Sequence, residues 1–298
     1  MDSDDDDVSL MLPSAKRRRI LFELGFREPI LDYLKRNANP RVLLKLMRVS
    51  KYFWIKEFPF TVIKDLKYEN SKWKYRPLEW PKSHFFDTRK FQPFDFDNIA
   101  KKLWITESLY LNNKEGTNIA SKVAVCDIVK LDLLRQKISL EEFKLFNAHK
   151  IKNAFFCNII IEDSNNEILS VESILNHLPK ALNFNYYFGE NETLASESTK
   201  NIIENLKKSE IQEFTLRGIP ETFEFDVFLK FMHENPKKKY DLSFNNGISA
   251  EYIQKLQTAV DYFIENCLTE ESSVIIEFED QTDESYEKLC KTWKRRFQ

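Results

Sequence analysis

A chain of 298 residues, 42% hydrophobic and 31% charged, can bury a sizeable core and is too apolar to be disordered throughout. Its formal net charge of −2 excludes a polycation built to hold nucleic acid. No apolar run reaches the ~18 residues of a membrane span and no hydrophobic stretch follows the N-terminus as a signal peptide requires, so the cytoplasm or the nucleus is expected.

Residues 1–15 open with "MDSDDDD", a self-repelling acidic block expected to be a disordered leader. "KRRR", Lys16–Arg19, reads either as a nuclear-import patch or as the solvated face of a first helix. Over 16–58 the spacing is helical: Ile20, Leu21 and Leu24, then Ile30, Leu31 and Leu34, recur at three- and four-residue steps. Pro29 suits the first turn of a second helix. Asn39 and Pro40 cap and open a third, which carries Leu43, Leu46, Met47, Ser50 and Trp54 on one face.

The stretch Glu28–Trp54, "EPILDYLKRNANPRVLLKLMRVSKYFW", resembles an F-box. Pro29, Ile30, Leu31 and Leu34 match its proline and apolar helix positions; Leu43, Leu44, Leu46, Val49, Ser50 and Lys51 match its leucine-rich helix. The resemblance implies docking on the Skp-type adaptor of a cullin ubiquitin ligase. The implied partner-binding residues are Pro29, Ile30, Leu34, Leu43, Leu44 and Met47, with Leu24, Leu46 and Trp54 as buried support.

Residues 59–102 are aromatic and broken by Pro59, Pro77, Pro81 and Pro93, and read as a connector rather than long helices. "WPKSHFF" within them is either a recognition loop or an aromatic cover for the next domain. From Leu103 to the end, over 103–298, short β-prone runs alternate with helical patterns at a period of roughly 22–34 residues. The runs include "LWITESLYL", "VAVCDIVKLDL", "IKNAFFCNIII", "ALNFNYYF", "IQEFTLRGI", "KKYDLSFNN" and "SVIIEFED". Ser139 with Glu142, and Ser249 ahead of Tyr252, are clean helix starts. One parallel sheet in chain order is expected from about 103 to 280, with helices on its convex side. Phe155, Ile159 and Ile161 are expected to alternate along one strand.

"ILSVESILNHLPKALNFNYYF", residues 168–188, also resembles a unit of the leucine-rich-like C-terminal regions in expanded nematode F-box families. The expected fold class is α/β: an N-terminal three-helix F-box-like bundle followed by an irregular leucine-rich-repeat-like β-α solenoid.

Catalytic vocabulary is sparse. Only 5 glycines are present, and no Gly-x-x-x-x-Gly-Lys, Gly-x-Gly-x-x-Gly or Gly-x-Ser-x-Gly occurs, so no nucleotide cofactor is expected. His84, His149, His177 and His233 are scattered; the last three fall near helix ends, where the dipole favours them. Cys157 and His177 could make a nucleophile–base pair only across distant parts of the chain, and nothing local supports it. Cys126, Cys157, Cys267 and Cys290 form no Cys-x-x-Cys pair and read as buried reduced thiols, with no metal expected. Asp95/Asp97 and Glu277/Glu279 read as solvated faces, and "NPKKKY" and "WKRRF" are basic stretches offset by nearby acids. The 25 phenylalanines point to core packing or aromatic anchors. With no catalytic motif in sight, the F-box resemblance implies a non-enzymatic adaptor that joins a Skp-type partner to a target protein. The alternative is an interaction solenoid whose N-terminal helices only cap it.

Overall fold

In a computed structural model of the chain, the described residues are 29, 30, 33, 42, 45, 46, 60–77, 90–112, 119–146, 148–190 and 192–294. They form an α/β fold around a mixed sheet of eleven strands. Its order is β13-β12-β11-β10-β8-β6-β4-β1-β2-β3, with β5 beside β4.

The sheet starts in the segment read as a connector. β1 (Thr61–Glu69) turns directly into β2 (Lys72–Pro77), antiparallel to it, and β3 (Gln92–Pro93) adds an antiparallel edge. The two turn residues, Asn70 and Ser71, have φ of 52° and 57°. Two successive positive φ values match the right-handed twist of a tight hairpin. Pro77 and Pro93 sit at a strand end and on the edge strand, where a missing N–H costs no ladder bond.

β1 then pairs in parallel with β4 (Leu103–Asn112), and parallel pairing continues outward. The first half of β4 holds β5 (Val123–Cys126) and its second half holds β6 (Lys130–Leu134). β8 (Asn153–Cys157), β10 (Asn183–Tyr187), β11 (Glu213–Ile219), β12 (Lys239–Phe244) and β13 (Ser273–Glu277) follow in chain order. Two apolar runs read as single strands are broken. Asn158, at φ 50°, ends β8 before β9 (Ile160–Glu162), which pairs with β7 (Lys137–Ser139) in a separate small sheet. Phe155 thus faces away from the core, and Ala154 and Phe156 are its buried neighbours.

Among the described residues, six α-helices connect these strands and a seventh follows the last strand. They are α1 (Ile119–Lys122), α2 (Leu140–Leu145), α3 (Val171–Asn176), α4 (Ser198–Lys208), α5 (Phe225–Glu234), α6 (Ala250–Asn266) and α7 (Asp283–Lys294). Ser139 and Glu142 form a reciprocal capping box on α2, and Ser249 accepts from the Tyr252 N–H at 3.3 Å on α6. Right-handed crossovers that always advance one way leave every helix on the same face. Consecutive helices from α3 to α7 accordingly pack side by side.

Strand residues turned toward the helices are buried; β12 reads Tyr240, Leu242, Phe244 inward at every second position. Phe156, Phe184 and Phe214 form a row across β8, β10 and β11, Phe184 edge-on to Phe156 at 5.9 Å and stacked on Phe214 at 5.8 Å. Phe228 of α5 continues the row at 5.8 Å from Phe214. Ring burial of this kind accounts for much of the phenylalanine content.

The expected fold class is corrected here. The chain is not a helical bundle followed by an irregular leucine-rich-repeat-like β-α solenoid starting at 103; it is an α/β fold whose large mixed sheet begins at Thr61 with antiparallel strands. Of the segment 16–58, Pro29, Ile30, Tyr33, Val42, Lys45 and Leu46 are described, and each is helical. These positions do not establish a three-helix bundle. The acidic leader lies outside the described residues. Among the described residues, no helix is long and apolar enough to cross a membrane.

Candidate functional site

The sheet face opposite the helices carries no helix among the described residues. In-register parallel pairing sorts its side chains into three cross-strand rows. The first runs Asp65, Ser108, Lys130, Asn153, Asn183, Glu213, Lys239, Ser273. The second runs Lys67, Tyr110, Asp132, Phe155, Asn185, Thr215, Asp241, Ile275. The third runs Asn112, Leu134, Cys157, Tyr187, Arg217, Ser243, Glu277. Apart from Asp65, Thr215 and Ser273, these residues are half-exposed or exposed.

A shallow cleft of about 530 Å³ lies at the centre of this face. Tyr110 and Phe155 wall it, and Asn153, Asn183 and Asn185 supply carboxamides. The Asn153 and Asn183 side chains meet at 2.6 Å, with Glu213 beside them. Phe155 packs edge-on against Tyr187 at 5.0 Å. Charges around the cleft are largely matched in place: Lys130 with Asp132 at 3.0 Å, Lys239 with Glu213, and Arg217 with Asp241 at 2.7 Å. Burial raises the Asp132 carboxyl, with Lys130 opposing. Burial lowers the Arg217 guanidinium, but the hydrogen bond and charge of Asp241 outweigh it and leave it raised. Arg217 also lies over the Tyr187 ring at 5.9 Å, and its Nε is buried without an acceptor. Rows of amides, rings and internally matched charges suit a ligand with its own alternating donors and acceptors, which is the chemistry of an extended polypeptide.

A larger furrow of about 980 Å³ separates α5 from α6 on the helical side. Lys255 and Asp226 pair at 3.0 Å in its wall, and its floor is the ordinary gap between two helices.

The titratable candidates read from the sequence do not converge. Cys157 faces the open side, whereas His177 caps α3 through Nδ1, 2.8 Å from the Ser173 carbonyl, and packs on Phe143 in the helical layer. Burial raises the Cys157 thiol, against the pull of Arg135. Only Cys126 of the four cysteines is buried; Cys157, Cys267 and Cys290 are half-exposed, which corrects the expectation of four buried thiols. Asp95 binds Asn98 in a local turn, and Glu279 accepts from the Gly247 N–H at 3.0 Å. Among the described residues, no group of three His, Cys, Asp or Glu is placed to hold a metal ion. Of the partner-binding candidates, Pro29 and Ile30 are helical and exposed, Ile30 at 47%. Leu34, Leu43, Leu44 and Met47 lie outside the described residues, and Leu46 is half-buried.

Sequence reasoning missed the open-face rows. Alternation marks which side chains of each strand point away from the core, but only the register brings Tyr110, Phe155 and Asn185 into line.

One half-buried acid makes a measurable prediction. Glu192 accepts from the Tyr186 hydroxyl at 2.7 Å and from the Gly189 N–H at 3.0 Å. Burial raises its carboxyl above the ordinary 4.5, while those two bonds pull it down. The folded protein therefore holds this proton more tightly than the unfolded chain. The Glu192 contribution to stability is expected to grow as pH falls through the raised value toward 4.5 and to level off below it. Urea midpoints across that range, compared between the parent and Glu192→Gln, check it: the variant should lose the rise, and an unchanged pH slope sinks the assignment.

No family model matches the chain, and no curated protein or solved structure is significantly similar to it.

Proposed function

We propose that the protein is a non-enzymatic adaptor that holds a target polypeptide on the open face of its sheet. On this reading the F-box-like stretch Glu28–Trp54 docks on the Skp-type adaptor of a cullin ubiquitin ligase, in the cytoplasm or nucleus. The observation that carries the first half is the sheet face that bears no helix among the described residues, with its registered rows of amide, aromatic and paired charged side chains. The second half rests on the F-box resemblance, with the exposed helical Pro29 and Ile30 in support.

Two measurements test the two halves separately. Leu44→Asp is expected to abolish recovery of the Skp adaptor while changing stability by about 0.5 kcal/mol or less, as at a surface site. Melting of the variant means that Leu44 is core, and unchanged recovery leaves the alternative, an interaction protein without adaptor docking. For the sheet face, a photo-crosslinking benzophenone side chain at Phe155 is expected to trap one target polypeptide. The same probe at Lys288, exposed on α7, should not trap it. Equal trapping at both positions removes the open face as the binding surface.

A further inference from the structure

The direction of the chain sorts its charges onto two rims. Helices that all run back across one face bring their first turns to one end of the strands and their last turns to the other. Acids occupy the first turns, among them Glu172, Asp226, Glu251 and Asp283. Lys144, Lys207 and Lys208 occupy last turns. The helix dipole favours that much.

It does not require the lysines that follow. The connections leading from helices into β8, β10 and β12 carry Lys150 and Lys152, Lys180, and Lys237 and Lys238. With the connection into β11, which follows Lys207 and Lys208, they lie at the starts of four neighbouring strands, β8, β10, β11 and β12. At about 4.8 Å per strand, they form a strip roughly 15 Å long. Lys180, Lys207, Lys208 and Lys237 are exposed on it. Between residues 209–213 and 237–239 the strip holds a depression of about 370 Å³, with Lys237, Lys238 and Lys239 on one wall. Its acids are partly spoken for: Glu210 meets Lys152 at 3.2 Å and Lys180 at 4.0 Å, and Glu213 pairs with Lys239.

We propose that this lysine rim binds an acidic stretch of a polypeptide, a short run of Asp or Glu laid across the strand starts. Charge complementarity is the argument. Roughly five extended residues span the strip at about 3.3 Å each, and one carboxylate side chain fits the depression. A nucleic acid suits it less well. Phe146 and Tyr240, which flank the strip along the chain, are buried and offer bases nothing to stack on. The rim shares Glu213 and Lys239 with the first row of the open face, and the variants below avoid both residues.

The test is fluorescence anisotropy of a labelled oligo-aspartate peptide with the full chain at low salt. Binding is expected, and it should weaken as salt rises. Lys180→Glu/Lys208→Glu/Lys237→Glu should reduce affinity about tenfold or more, the scale of reversing three exposed charges, with an unchanged melting temperature. The control Lys200→Glu/Lys288→Glu/Lys291→Glu, exposed on the helical side, makes the same change in net charge and should stay within about twofold. Equal loss in both triples overturns the proposal, as does absence of binding. Tighter binding of an oligothymidylate than of the peptide overturns it in favour of nucleic acid. If the peptide binds only after Asp2 and Asp4–Asp7 are changed to Asn, the rim is filled by this chain's own leader and the partner proposal fails.

Discussion

Phe184→Ala is expected to destabilise the protein by about 4 kcal/mol, within the usual range for emptying a buried phenylalanine site. Phe184 is fully buried on β10, stacked on Phe214 at 5.8 Å and edge-on to Phe156 at 5.9 Å. Its ring bridges three strands, so the surroundings collapse poorly and the cavity persists. For a unit of this size such a loss lowers the melting temperature by roughly 10 °C. Urea unfolding should move the midpoint without changing the slope, since the surface exposed on unfolding hardly alters. Phe155→Ala, one residue before Phe156 on β8 but facing the open side, is expected to cost less than about 1 kcal/mol. Equal costs at 155 and 184 mean that the two faces of the sheet have been wrongly distinguished.

Arg76→Ala is expected to cost about 3 kcal/mol through a different mechanism. Asp65 on β1 is fully buried, and Arg76 Nε donates to its Oδ2 at 2.7 Å from the neighbouring strand β2. Ser108 Oγ, across on β4, donates to the other oxygen. Removing the guanidinium strands a buried carboxylate with a single hydroxyl, and the stranded charge is more expensive than the pair was favourable. It also removes the stacking of Arg76 over Phe91, 5.0 Å away. The double variant Arg76→Ala/Asp65→Ala should recover part of the loss, because the orphaned charge goes with it. A double variant no more stable than the single one sinks this explanation. Thermal unfolding of Arg76→Ala, Asp65→Ala, the double variant and the parent closes the cycle.

Much of the parallel sheet was legible because its signals are local. Tyr240, Leu242 and Phe244 alternate as one-face burial demands, and Ser139 and Ser249 announce helices that begin where expected. The hairpin β1–β2 was not legible. Its turn is Asn70-Ser71 rather than Asn-Gly, and the prolines nearby read as breaks when two of them mark a strand end and an edge. Phe155 was misplaced because "IKNAFFCNIII" looks like one strand, and nothing in the residue types says that Asn158 takes φ 50° and resets the alternation. The open-face site suffers most from this limit. Asn153, Asn183 and Asn185 are unremarkable polar residues on their own strands; they become a carboxamide cluster only when strands some 30 residues apart pair in register.

The stepwise pairing of the sheet also bears on how it assembles. Lys130 pairs with Asn153, Asn183 with Glu213, and Lys239 with Ser273, so each new strand closes a loop of only a few tens of residues. Loop-closure entropy then rises in small equal increments instead of one large early penalty. Any neighbouring strand–helix–strand unit can serve as the nucleus, and growth can proceed toward either edge. Loosening should run in reverse from the outermost strand, where Thr292 of α7 ties the Val274 carbonyl of β13 at 3.3 Å. Hydrogen exchange would then register a gradient of protection across the sheet, lowest at β13 and rising toward β10, in place of a single all-or-none opening.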